Sequence, residues 1–145
     1  MTEALLILFG ILIGLVPGWI GRRRKIKTHW AVLGAEVELC KSRAENYISG
    51  SVIAPLYRLP VSTFHTSFPV LLSEGNLAPN EYNALMEFFS WAEDINRGLE
   101  NADQMSKEDN NPKLKSEYVR NMDKCKKLTE LYFEPAIQVI RRHLR

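Results

Sequence analysis

Histidine and cysteine are scarce in this chain of 145 residues, three and two respectively, and neither type clusters. Cys40 and Cys125 lack CxxC spacing, and no Cys/His set has the density that a zinc site needs. A di-iron bundle site needs Glu-x-x-His on two helices, because ligands at i and i+3 must converge on the metal. The residues three before His29, His65 and His143 are Ile26, Ser62 and Ile140. There is no GxxxxGK[ST] or GxGxxG phosphate loop and no GxSxG elbow. A Cys40 or Cys125 nucleophile working with His65 finds no support in the spacing. The sequence therefore points to no cofactor, no metal and no catalytic constellation. It also contains no Asn-x-Ser/Thr acceptor.

Charge is missing from Ala4 to Ile20, and this gap is the most informative one. About 17 residues at roughly 1.5 Å each span about 26 Å, close to a hydrocarbon core, and the run is apolar all round rather than on one side. Arg22, Arg23, Arg24, Lys25 and Lys27 follow at once, whereas a cleaved secretory signal would carry its positive charge before the run. The order predicts a single N-terminal transmembrane helix in residues 1–21 and a basic collar in 22–28 that contacts anionic headgroups. By the positive-inside rule, the N-terminus lies outside and a cytoplasmic domain follows, at a cell or plasma membrane. Gly10, Gly14 and Gly18 recur every fourth residue, a face for transmembrane helix packing or self-association, though glycine is common in membrane helices anyway. Pro17 predicts a kink beside that face.

Strong positive charge is absent from the remainder. Residues 28 to 145 hold 14 Lys/Arg against 16 Asp/Glu, a net of −2, so the basic balance belongs to the collar. A nucleic-acid partner is not expected on that basis. Only Arg141, Arg142 and Arg145 form a second basic spot.

What is present in residues 29–145 is helical periodicity, enough for one domain. Trp30, Leu33, Val37, Cys40, Ala44 and Tyr47 are spaced three and four apart, with Glu36, Glu38, Lys41, Arg43 and Glu45 off that seam. The collar has no helix breaker, so this helix is able to continue directly from the predicted span. Ser49 to Ser51 supply a stop.

Pro55, Pro60 and Pro69 punctuate the stretch 52–72, where Ser62 or Thr63 opens a short helix carrying Phe64, Phe68 and Leu71 inward, ended by Gly75. This stretch either packs on the bundle or lines a pocket with Tyr57, Arg58 and His65 as its polar groups. Pro79 opens the strongest core helix, with Tyr82, Leu85, Met86, Phe89, Ala92, Ile95, Leu99 and Ala102 on one face. After the polar loop 106–111, Pro112 starts the last helix, with Leu114, Tyr118, Met122, Cys125, Leu128 and Tyr132. Pro135 predicts a kink or break near Leu131. The final segment either closes the bundle or lies on anionic lipid.

The expected fold is thus all-α: the transmembrane helix, then a cytoplasmic bundle of three to five helices. The expected role is a protein-interaction or accessory module of a membrane-associated assembly. The alternative is a small membrane-tethered enzyme or ligand-binding domain built on residues 52–72.

Overall fold

The computed structural model describes residues 2–50, 58–108 and 111–145, with side chains in the opening helix from residue 18 onward. Among the described residues, five α-helices and one π-helical turn form the molecule: α1 (Thr2–Ile48), α2 (Ser62–Glu74), α3 (Pro79–Ser106), α4 (Leu114–Lys127), the π turn (Leu128–Tyr132) and α5 (Phe133–Leu144). Because α4, the π turn and α5 follow without a gap, they act as one rod, and the bundle has four members.

Contacts fix the directions. Arg22 meets Glu74 and His29 meets Ser67, so α2 runs antiparallel to α1. Trp30 meets His143 and Glu38 meets Arg141, so α5 also runs antiparallel to α1. Asp94 meets Lys124 and Trp91 meets Tyr132, which sets the rod antiparallel to α3. The result is an up-down-up-down helical bundle with a short second member.

The first expectation to be corrected is the spanning helix. Among the described residues no helix is long and apolar enough to cross a membrane. The described part of α1 carries the five collar charges and then Glu36, Glu38, Lys41, Arg43 and Glu45, too many for a helix facing lipid. Residues 4–17 of the expected span lie outside the residues described at side-chain level, and so do Gly10, Gly14 and Pro17. The single N-terminal transmembrane helix is therefore not supported by the described residues. The boundaries drawn at 21 and 28 fall inside one uninterrupted α1.

The core is close to what the periodicity demands. Trp30, Leu33, Val37, Cys40 and Ala44 are all buried on α1, and Phe64, Phe68 and Leu71 on α2. Leu85, Phe89, Ala92, Ile95, Leu99 and Ala102 are buried on α3, joined by Phe88, while Tyr82 is left exposed at the edge. Each large apolar side chain taken from water contributes about 1.5–3 kcal/mol. Phe64 is the hinge of this packing, stacked on Phe68 at 4.6 Å and on Phe89 at 4.2 Å between centroids.

Two helix boundaries come out differently from the reading of the sequence. α4 begins at Leu114, because Pro112 and Lys113 lie in a turn that the Asn111 side chain closes on the Lys113 amide at 3.0 Å. Pro135 does not break the rod. It offers no N–H to the carbonyl of Leu131, and the chain widens into the π turn just before it, with the Phe133 amide reaching back to the Leu128 carbonyl. The rod bends its hydrogen bonding without ending.

Buried polar groups tie the elements together. Both oxygens of Glu36 accept hydrogen bonds from the first turn of α2, from Thr63 N at 2.8 Å and Phe64 N at 2.7 Å. α2 has no side-chain cap of its own, so α1 supplies it. The segment before α2 is held as firmly. Asn96 accepts from Leu59 N at 2.7 Å and donates to Leu59 O at 2.8 Å, and the Cys40 thiol donates to Pro60 O.

Candidate functional site

About two turns of α1 prepare one end of the bundle. Arg23, Ile26, Lys27 and Trp30 are spaced three, four and seven residues apart, so they share a face. That face meets the C-terminal end of α2, with Glu74, Gly75 and Asn76, and the C-terminal end of α5, with His143 and Arg145. Between them lies a cleft of about 450 Å³.

His143, which lines the cleft, is tied to a buried carboxylate. Glu81, in the first turn of α3, accepts from Arg142 Nη1 at 2.8 Å and from the backbone amide of Ala78 at 3.2 Å, and pairs with His143 Nε2 at 3.0 Å. Burial alone would push the Glu81 carboxyl up. The hydrogen bonds from His143 and Ala78, the charge of His143 and the Arg142 guanidinium outweigh burial and hold the carboxyl below its ordinary range. Glu81 is therefore ionised at neutral pH and holds the His143 ring at Nε2. Trp30 holds a face of the same ring, its indole lying flat against the imidazole with centroids 4.3 Å apart and planes 2° apart. The ring is fixed on two sides, with Nδ1 as its remaining polar atom.

The walls are cationic. Arg23 lies over the Trp19 ring at 4.1 Å, and neither it nor Lys27 nor Arg145 makes an ion pair among the described residues. Glu74 is the acidic member of the wall, and Arg22 neutralises it at 3.0 Å. A shallower groove of about 350 Å³ follows the outer side of α5. Its Arg141 and Arg142 are already paired with Glu38 and Glu81. The cleft walls supply cations and an imidazole but no hydroxyl or thiol, so the chemistry they offer is the binding of an anion.

The residues singled out from the sequence fall into three groups. The collar divides: Arg23 and Lys27 line the cleft, Arg22 holds Glu74, and Arg24 and Lys25 are exposed around the helix. Gly10 and Gly14 lie outside the residues described at side-chain level, and a side chain at Gly18 would meet nothing within 4 Å. In the third group, Tyr57 is outside the described residues. Arg58 reaches Asn96 O at 3.1 Å and Glu100 at 3.6 Å, and His65 pairs with Glu93 at 3.0 Å. Glu93 and Glu100 are about two turns apart on α3, so Arg58 and His65 are engaged separately, and neither lines the cleft.

Both cysteines are buried in the helix packing. Burial pushes both thiols up, Cys125 to about 12, which removes the thiolate a nucleophile needs. Among the described residues no group of three or more His, Cys, Asp or Glu is placed to hold a metal ion.

Sequence reasoning missed Glu81 and His143 as site residues. Glu81 reads as an ordinary acidic residue in a first turn, and His143 as an isolated histidine. The one usable signal was the second basic spot at the end of the chain, which the fold carries to the collar. No protein-family model, curated protein or solved structure matches this chain.

Proposed function

We propose that this chain is a non-catalytic helical docking module that seats its basic end on an anionic membrane surface and leaves the rest of the bundle for a protein partner. One observation carries the reading. Two basic segments more than a hundred residues apart, the collar and the end of α5, meet at a single end of a domain that is otherwise net negative. Each cation held near an anionic leaflet contributes about 1 kcal/mol, so several on one face give orientation as well as affinity. Trp19 and Ile20, exposed beside the collar, suit the headgroup level, where an indole keeps its ring apolar and its N–H wet.

The full chain, floated with zwitterionic vesicles and with vesicles containing phosphatidylglycerol, tests this. The expected result is a preference for the anionic vesicles that weakens as salt is raised and as Arg24 and Lys25 are replaced by Glu. Equal recovery with both vesicle types at low salt would contradict it.

A further inference from the structure

We propose that the cleft between α1, the end of α2 and the end of α5 is a binding site for a phosphomonoester dianion. This deepens the docking reading, on which a lipid source for that group rests.

Three cations, Arg23, Lys27 and Arg145, face one concavity with no carboxylate paired to any of them among the described residues. Like charges gathered this way repel one another and give the fold nothing, whereas a bound anion turns the repulsion into attraction. The nearby carboxylates do not fill that role. Glu74 is held by Arg22 at 3.0 Å, and Glu81 lies beneath the imidazole, engaged by Arg142 and His143.

The same geometry selects the kind of anion. Guanidinium forks match the oxygens of a phosphate, and a lysine adds a point charge. His143 is held by Glu81 and by the stack on Trp30, so its ring is ordered in the wall before any ligand arrives. Three exposed cations converging on one concavity suit a doubly charged terminal phosphate better than a singly charged diester or a carboxylate. The volume, about 450 Å³, admits a headgroup-sized ligand, and Ile26 and Trp30 give an apolar side for the carbon to which the phosphate is attached.

The test uses the full chain, labelled with nitrogen-15, in a neutral detergent and phosphate-free buffer at about pH 8, above the second ionisation of a phosphate. The readout is the indole N–H resonance of Trp30 in the cleft, with that of Trp91, packed on Tyr132, as internal control. The probes are short-chain phosphatidic acid, short-chain phosphatidylglycerol and glycerol 3-phosphate.

The expected result is a saturable shift of Trp30 but not Trp91, with phosphatidic acid binding about tenfold more tightly than phosphatidylglycerol. Lys27→Gln or Arg23→Gln should weaken phosphatidic acid binding by about tenfold, and Lys25→Gln, off the cleft, by less than about twofold. Glycerol 3-phosphate binding as tightly as phosphatidic acid supports the site with a soluble source. Weaker binding supports it with a lipid source.

Equal affinity for phosphatidic acid and phosphatidylglycerol, or equal losses in Lys27→Gln and Lys25→Gln, would overturn the site while leaving membrane docking intact. A phosphatidic acid preference in a chain that shows no preference for anionic vesicles would do the reverse.

Discussion

Glu36 occupies a position that a helical wheel assigns to solvent, and the fold buries it because α2 arrives with unpaired amides. Its carboxylate caps Thr63 and Phe64, so Glu36→Ala leaves one buried and one part-buried donor without an acceptor. We expect a loss of about 2 kcal/mol in urea unfolding, with Glu36→Gln, which keeps one acceptor, losing roughly half. An unchanged midpoint in both variants would remove the cap from the account.

Gly98 and Asn121 make the complementary case. The Asn121 carboxamide occupies the space that a side chain at Gly98 would take. Gly98→Ala should therefore destabilise by about 1–3 kcal/mol through overpacking. Adding Asn121→Ala should recover part of that loss, a coupling that a double-mutant cycle measures and strict additivity would deny. Neither residue stood out in the sequence. Apolar spacing reports which side of a helix turns inward, but a buried Glu or Asn depends on what another helix brings to it.

The elements themselves were largely legible. The seams of α1 and α3 place almost every buried side chain correctly, because a period of three and four leaves few other ways to hide tryptophan and phenylalanine. The short helix after Pro60, stopped by Gly75 with its amide on the Leu71 carbonyl, was legible for the same reason. Pro69 lies inside α2, as a helix running on to Gly75 requires, and the irregularity expected near Leu131 takes the form of a π turn rather than a break.

The segment leading into α2 is governed by side chains rather than by its own conformation. Asn96 satisfies both backbone groups of Leu59, so Asn96→Asp would place a second acceptor against the Leu59 carbonyl. Faster amide exchange at Leu59 and through the first turn of α2 is the expected consequence. Unaltered exchange there would mean the segment is held by other contacts.

At the scale of the whole molecule, the run from Ala4 to Ile20 led the sequence reading to a spanning helix, whereas no helix among the described residues is long and apolar enough to cross a membrane. The candidate site was half legible. The collar was visible as a charge run, but the meeting of the collar with His143, Arg145 and Glu81 depends on α5 packing antiparallel on α1.

That packing makes stability depend on pH at both ends. Glu81 titrates lower in the folded state than in the unfolded chain, so its contribution is present above about pH 4.5 and lost as pH falls through the depressed value. Cys125 and Tyr47 titrate higher when folded, both near 12. Their ordinary values are 9.0 and 10.0, so stability falls as pH rises through that interval. Urea midpoints between about pH 3 and pH 11 should form a plateau with both shoulders, and Glu81→Gln should lower the plateau and flatten the acid shoulder. A Glu81→Gln profile parallel to that of the native chain would contradict this.

The central claim is that one end of the bundle, and no other surface, meets an anionic membrane. Residue-resolved amide exchange of the full chain on phosphatidylglycerol nanodiscs, compared with zwitterionic nanodiscs, tests it most directly. The account predicts added protection confined to residues 19–27, 74–76 and 143–145. Protection at the opposite end, around residues 45–50, 103–108 and 111–116, or no difference between the two lipids, would contradict it.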